Sequence, residues 1–223
     1  MFLLVAATEF EMEPARQRLH NMPGISFLVT GVGPLETAVN LTRFIDNYSG
    51  AIQLVINFGV GGAYPDAGVE VLDLCLARQE VMGDFGVCFD NRIESFTSDI
   101  AESHSYALEN SYLEQASQLF QKQQVRFQQG TFVTVNCVSG TTQRGLLLRD
   151  TYQAVCENME GAAVARVCRE FDTPMLELRC ISNMVEDRDK SRWKIQEAAQ
   201  KSGAQVAEFL TSLQNDRSPV DKI

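Results

Sequence analysis

Three side chains stand where they could do chemistry: Glu11, Glu160 and Asn183. Glu160 lies in Cys156-Glu157-Asn158-Met159-Glu160-Gly161-Ala162-Ala163-Val164-Ala165, just ahead of a small-residue helix. Gly161, Ala162 and Ala163 lack the bulk to cover it, so its carboxylate can look into a pocket. The competing reading is an acid that only complements the helix macrodipole. Glu11 follows Thr8 at capping-box spacing, where a first apolar strand gives way to a helix. Open α/β sheets bind ligands along that edge, although Thr-x-x-Glu is also a common structural cap. Asn183 stands at the end of the last apolar strand.

Two glycine-rich turns accompany these residues. Gly31-Val32-Gly33-Pro34 precedes a helix and can bring backbone amides to an anion, or serve only as a turn. Gly59-Val60-Gly61-Gly62 follows Leu54-Val55-Ile56-Asn57-Phe58 and keeps a strand end free of side chains, so that a flat ligand can lie against the backbone.

Composition bounds the rest. At 223 residues the chain suits one sizeable domain, 1–223, with a large core. A net charge of −10 and the absence of a Lys/Arg run exclude the footprint that neutralises a phosphate backbone, so no nucleic-acid partner is expected. The six cysteines are scattered without a CxxC pair, and neither His20 nor His104 lies beside one at zinc-site spacing. Reduced, mostly buried thiols and no metal are expected. The apolar start is short, lacks a basic flank and runs into Glu9, Glu11 and Glu13, which reads as a strand and not an export signal. No run is long enough to span a bilayer, so a cytoplasmic location and no membrane partner are expected.

The elements that must position the candidates alternate. Strand Phe2–Ala7 leads to helix Glu9–His20, and strand Ile25–Thr30 to a helix through Thr37, Leu41, Phe44 and Ile45. A long β-rich run follows over Val69–Val81, then a polar loop over 83–104, a helix over Ser105–Gln124, and a strand over Val125–Val138 broken by Gly130. A short strand Gln153–Cys156 feeds the Glu160 helix, which runs to Phe171. Strand Pro174–Ser182, a charged loop over Met184–Ser191 and helix Arg192–Leu213 close the chain, with a polar, frayed tail from Gln214. Strands alternating with helices predict an α/β protein with a mixed sheet between helical layers.

Four segments now resemble one family: Ala6-Ala7-Thr8-Glu9-Phe10-Glu11, Asn57-Phe58-Gly59-Val60-Gly61-Gly62, Glu157 to Ala165, and Arg179-Cys180-Ile181-Ser182-Asn183. Their order and spacing are similar to those of the nucleoside phosphorylase and nucleosidase superfamily, in the branch of the methylthioadenosine/S-adenosylhomocysteine nucleosidases and futalosine hydrolases. The resemblance implies a three-layer α/β/α fold with a central mixed, partly barrel-like sheet. It further implies cleavage of an N-ribosyl bond, no cofactor, water and a small nucleoside as the reacting partners, and a homo-oligomer.

The resemblance also implies roles. Glu160 matches the acceptor of ribose hydroxyls, a task for a group with acceptor sites only. Met159 matches the residue packed on the sugar, and Glu11 the base that deprotonates attacking water. Val60 and Gly61 fall near the sugar and the water; Cys137, Val138 and Ser139 fall where backbone meets the base. Phosphorylases place glycine and arginine on the first strand to hold phosphate, whereas Glu9 and Glu11 here would repel it, which favours hydrolysis.

Asn183 departs from the aspartate of the adenosine-specific members. An amide cannot donate a proton as an acid, but it can accept from one purine nitrogen and donate to a carbonyl, which suits a 6-oxopurine. Hypoxanthine is therefore the predicted leaving base, and with Arg188, Arg192 and Trp193 the pattern points to futalosine and menaquinone biosynthesis. Those three are candidates for the carboxylate and ring of a benzoate-bearing 5′ group, with Phe85, Phe89 and Phe96 as alternative ring contacts. Surface ion pairs and a helix-anchoring indole remain the competing reading. An adenosine-type nucleosidase, an inosine-type phosphorylase and a nucleoside-binding regulator on the same scaffold are the other functions open to this chain.

Overall fold

In the computed structural model, which describes residues 1–48, 50–97, 99–100 and 104–217, strand β1 (Phe2–Ala6) is buried along its whole length. An unbroken apolar run has no face for water, so it is sandwiched. Leu4 and Ala6 pack into one core and Leu3 and Val5 into another on the opposite side of the sheet. Thr8 caps α1 (Glu9–Leu19), accepting the N–H of Glu11 at 3.3 Å. β2 (Ile25–Val29) runs parallel to β1, and Pro34 opens α2 (Pro34–Asn47).

β3 (Leu54–Ala63) and β4 (Leu74–Met82) are the long central strands, followed by the hairpin of β5 (Gly86–Cys88) and β6 (Ile93–Ser95). Next come β7 (Ser105–Ala107), α3 (Ser111–Lys122), β8 (Phe127–Thr134) and α4 (Thr142–Tyr152). β9 (Ala154–Asn158), α5 (Gly161–Glu170), β10 (Met175–Met184), a 3-10 turn at Lys190–Arg192 and α6 (Ile195–Arg217) complete the order.

The sheet runs β10-β4-β8-β9-β3-β1-β2, and β10 also pairs with β3. That extra pairing closes β3, β10, β4, β8 and β9 into a barrel, leaving β1 and β2 as an extension of it. α1, α3 and α6 cover one side with Met12, Phe120 and Leu210; α2 and α5 cover the other with Leu41, Ile45 and Val164. The expected layered α/β architecture with a partly barrel-like mixed sheet is therefore the observed one. No helix among the described residues is long and apolar enough to cross a membrane.

Several expectations are corrected. The β run read over Val69–Val81 begins only at Leu74, because Glu70 to Asp73 form a turn in which Leu72 takes φ 71° and Glu70 N–H bonds Asp73 Oδ2 at 2.9 Å. The loop over 83–104 contains the β5–β6 hairpin; its residues 98 and 101–103 lie outside the described residues. Ser105–Ala107 is not helical but pairs with Gln79–Val81, and the helix starts after Asn110, whose side chain accepts from Tyr112 and Leu113 N–H.

Gly130 does not break β8; the ladder to β4 shifts register beside it. The strand ends at Thr134, after which Asn136 turns to Asp84. The strand read as Gln153–Cys156 extends to Asn158, and the last one reaches Met184, so Asn183 lies within it. The final helix begins at Ile195, and it continues regularly through Gln214 to Arg217 where fraying was read; residues 218–223 lie outside the described residues. α4 was not foreseen. Only Gly145 and Leu148 are buried on it, so it carries no apolar period to read.

Candidate functional site

The carboxyl ends of β1, β3, β9 and β10 converge on a cleft of about 380 Å³. Its walls include Glu11, Val60, Gly61, Val138, Ser139, Met159, Glu160, Asn183, Arg188 and Trp193, all foreseen from sequence. Cys137 is exposed and does not line it, whereas its neighbours Val138 and Ser139 do. Arg192 also stays outside: its guanidinium pairs with Glu186 in an adjoining groove. Phe85, Phe89 and Phe96 are absent from the cleft walls, and Phe85 and Phe96 pack edge to face on each other at 5.5 Å.

Glu11 is 6% exposed and held at both oxygens: Val60 N–H donates to Oε1 at 3.0 Å and Thr8 Oγ1–H to Oε2 at 2.8 Å. Thr8 thus caps the helix and also orients the acid, which lines the cleft. A Cβ at Gly59 would collide with Glu11 Oε1, so a side chain at this strand position would displace the acid. Glu9 is not a second carboxylate in the site. It lies exposed and pairs with Arg16 at 2.6 Å.

Glu160 is the N-cap residue of α5 yet makes no side-chain cap bond. Asn158 Oδ1 accepts the N–H groups of Glu160 and Gly161, and Thr134 Oγ1 that of Ala162. The Glu160 carboxylate instead accepts Gly33 N–H at 3.1 Å and lies 3.4 Å from Arg179 Nη2. The Gly-x-Gly turn does approach an anion, and the anion is this side chain. Burial pushes the Glu160 carboxyl above its usual range, while Arg179 and the Gly33 amide pull it back.

Arg179, not foreseen as a site residue, is 1% exposed and bonds Glu177 Oε1 through Nε at 3.0 Å and Val60 O through Nη1 at 3.3 Å. Behind it lies Glu80, whose carboxyl is pushed well up by burial and by the neighbouring Glu177, while Glu177 Oε2 is buried without a hydrogen-bond partner. Thr134 and Asn158 donate to Glu80. Gly161 is small because Glu80 and Glu177 crowd beneath it, not to uncover Glu160. The signal for this pair was an acid inside each apolar strand, which is costly unless partnered.

Asn183 is fixed in one orientation: Ser182 Oγ donates to its Oδ1 at 2.8 Å and its Nδ2 donates to Met184 O at 3.0 Å. One N–H remains for a ligand. Glu157, also unforeseen, is 5% exposed in the same wall and accepts Ser139 N–H at 2.8 Å, Ser139 Oγ at 2.6 Å and Tyr64 OH at 3.2 Å. Phe10, Val32 and Ile195 add apolar surface to the cleft, and the Arg188 guanidinium stacks 4.8 Å over Trp193.

Residues 6–215 match the family model described as the phosphorylase superfamily. A futalosine hydrolase of Streptomyces coelicolor is 31% identical over 188 residues, covering 81% of this chain and 76% of the relative. One of Thermus thermophilus is 28% identical over 196 residues, covering 88% and 85%. Among solved structures, the 5′-methylthioadenosine/S-adenosylhomocysteine nucleosidase of Helicobacter pylori superposes with a TM-score of 0.83 at 19% identity, covering 95% of this chain and 97% of that one.

Proposed function

Since the chain belongs to the phosphorylase superfamily, we propose that it is a nucleosidase that cleaves the N-ribosyl bond of a 6-oxopurine nucleoside with water, and that the nucleoside is futalosine. The observation that carries hydrolysis is the state of Arg179. It is already shared by Glu160 and Glu177, so it offers no free charge to an inorganic phosphate dianion beside Glu11.

The geometry supports a role for each of these residues in that reaction. Glu160 accepts from ribose hydroxyls and holds negative charge beside a ribose that becomes cationic as the glycosidic bond stretches. Glu11 takes a proton from water as its oxygen bonds to the anomeric carbon, a role worth about 10² to 10⁴ in rate. The departing base takes the bonding electrons, and the free N–H of Asn183 supports the charge that builds on it. Met159 covers the sugar face.

The 5′ side supports futalosine as substrate. Phe10, Trp193 and Ile195 give an aromatic acid apolar cover, and Arg188 gives its carboxylate a cation. Such an enzyme would release hypoxanthine in the cytoplasm on the route to menaquinone. The exposed row Val32, Leu35 and Val39 is where we place a second copy of the chain. Light scattering that gave a monomer would remove that part.

The deciding experiment is a product assay on futalosine, inosine and methylthioadenosine with and without phosphate. Free ribosyl product and hypoxanthine from futalosine, unaffected by phosphate, are expected. Formation of a ribose 1-phosphate would overturn hydrolysis, and preferential cleavage of methylthioadenosine would overturn the base assignment.

A further inference from the structure

Resting on the nucleosidase reading, we propose that Glu157 is the residue that selects a 6-oxopurine, by accepting the N1–H of the base. Asn183 alone cannot make this choice. The one N–H it has left can meet N7, which is an acceptor in both 6-oxo and 6-amino purines, and from that edge of the base it stands away from N1. The two bases differ at N1, a donor in the lactam of hypoxanthine and an acceptor in adenine. A reader of that position has to be an acceptor.

The sheet places such an acceptor opposite Asn183. Gly62 on β3 pairs with Glu157 on β9 and with Asn183 on β10, so the three stand in a row across adjacent strands on one face. Two strand spacings separate the outer pair by about 9 to 10 Å at Cα. The middle position has no side chain, and all three line the cleft. A two-ring base laid over Gly62 then meets a hydrogen-bonding group at each edge.

Burial pushes the Glu157 carboxyl above its usual range, while hydrogen bonds from Ser139 and Tyr64 and the charge of Arg144 draw it back toward the acceptor state. Three donors converge on it, and a carboxylate has about four lone-pair sites, so Oε1, which serves only Ser139 N–H, keeps one free. Tyr64 is fully buried with its hydroxyl held well above its usual range by burial and by Glu157, so it remains a donor to the carboxylate. An adenine would set its N1 lone pair against this oxygen, leaving two buried acceptors unpaired.

The test pairs base analogues with variants. For the unaltered protein, kcat/KM on 1-methylinosine should fall about 10- to 150-fold below inosine, the range for a hydrogen bond to a charged group. Glu157→Ala, which removes the acceptor and makes room for the methyl, should lose most of that difference. Glu157→Gln, which keeps the shape, should lower the inosine-to-adenosine ratio of kcat/KM at least about tenfold. Equal cleavage of inosine and 1-methylinosine by the unaltered protein, or an unchanged base ratio in Glu157→Gln, would overturn the assignment. Calorimetric binding of free hypoxanthine against 1-methylhypoxanthine gives a readout without turnover. Discrimination there without cleavage of any nucleoside would sink the nucleosidase reading and spare this one, whereas cleavage without discrimination would do the reverse.

Discussion

Asn158 frees Glu160: its Oδ1 accepts the N–H of Glu160 at 2.9 Å and of Gly161 at 2.7 Å, doing the capping that the Glu160 side chain would otherwise do. The carboxylate is left to Gly33, Arg179 and the cleft. Asn158→Ala leaves two buried amides without an acceptor, and a lost cap costs about 0.5 to 2 kcal/mol. A lower Tm by chemical or thermal melting, together with a reduced kcat/KM, is expected. Unchanged stability would mean that water replaces the cap.

Glu11→Gln keeps an oxygen for Val60 N–H but cannot take a proton from water. Turnover should fall about 10²- to 10⁴-fold while substrate affinity stays within a few-fold. Single-turnover rates and equilibrium binding separate the two. Near-normal turnover would remove the water-activating role.

Glu160→Gln withdraws the charge that meets the ribose and leaves Arg179 facing Glu177 alone. Both KM and kcat should suffer, because the acceptor serves the ground state and the cationic transition state. A change confined to KM would show that the clamp binds without stabilising the transition state.

Asn183→Asp restores an ionisable group where Ser182 already donates. Its negative charge would face the electron-rich edge of an oxopurine, so hypoxanthine release should slow at neutral pH and recover as acid protonates the carboxyl. A flat pH profile with full activity would locate base support in the backbone.

Glu80 makes stability depend on pH. Burial raises its carboxyl well above the usual range, so the folded chain keeps a proton that the unfolded chain gives up. The unfolded state then binds fewer protons, and the stability contributed by neutral Glu80 is complete below the ordinary glutamate range and declines as pH rises above it. Glu80→Gln can still donate to Glu177 and has no proton to lose. Between about pH 5 and about pH 8, the Tm of the variant should fall less than that of the unaltered protein. Parallel curves would place the proton elsewhere.

What sequence disclosed of the site was what lies close along the chain. Thr8 and Glu11 share one helical turn, and Glu160 announces itself beside Gly161, so both could be singled out without coordinates. Arg179 and Glu157 could not be given their partners, because those lie on other segments of the chain: Glu160 and Val60 for one, Ser139 and Tyr64 for the other. Glu80 and Glu177 sit in strands 97 residues apart whose pairing arises only when the barrel closes. The same limit applies to the fold. β1 and α2 follow from apolar period, but β7 is a strand only through its ladder to β4, and α4 buries too little to leave a pattern.

Closure of the barrel also sets how the site breathes. β3 carries the cleft glycines and pairs with β10 from Val55 to Ala63, while β1 flanks its other side at Leu54–Asn57 and β9 at Gly62–Ala63. Opening its doubly paired stretches requires two ladders to part at once, which puts their amides in the slowest-exchanging class in deuterium, whereas the β5–β6 hairpin, which among the described residues ladders to no other strand, should exchange early. Substrate entry must then come from movement of side chains and loops at the mouth, over a floor that stays shut.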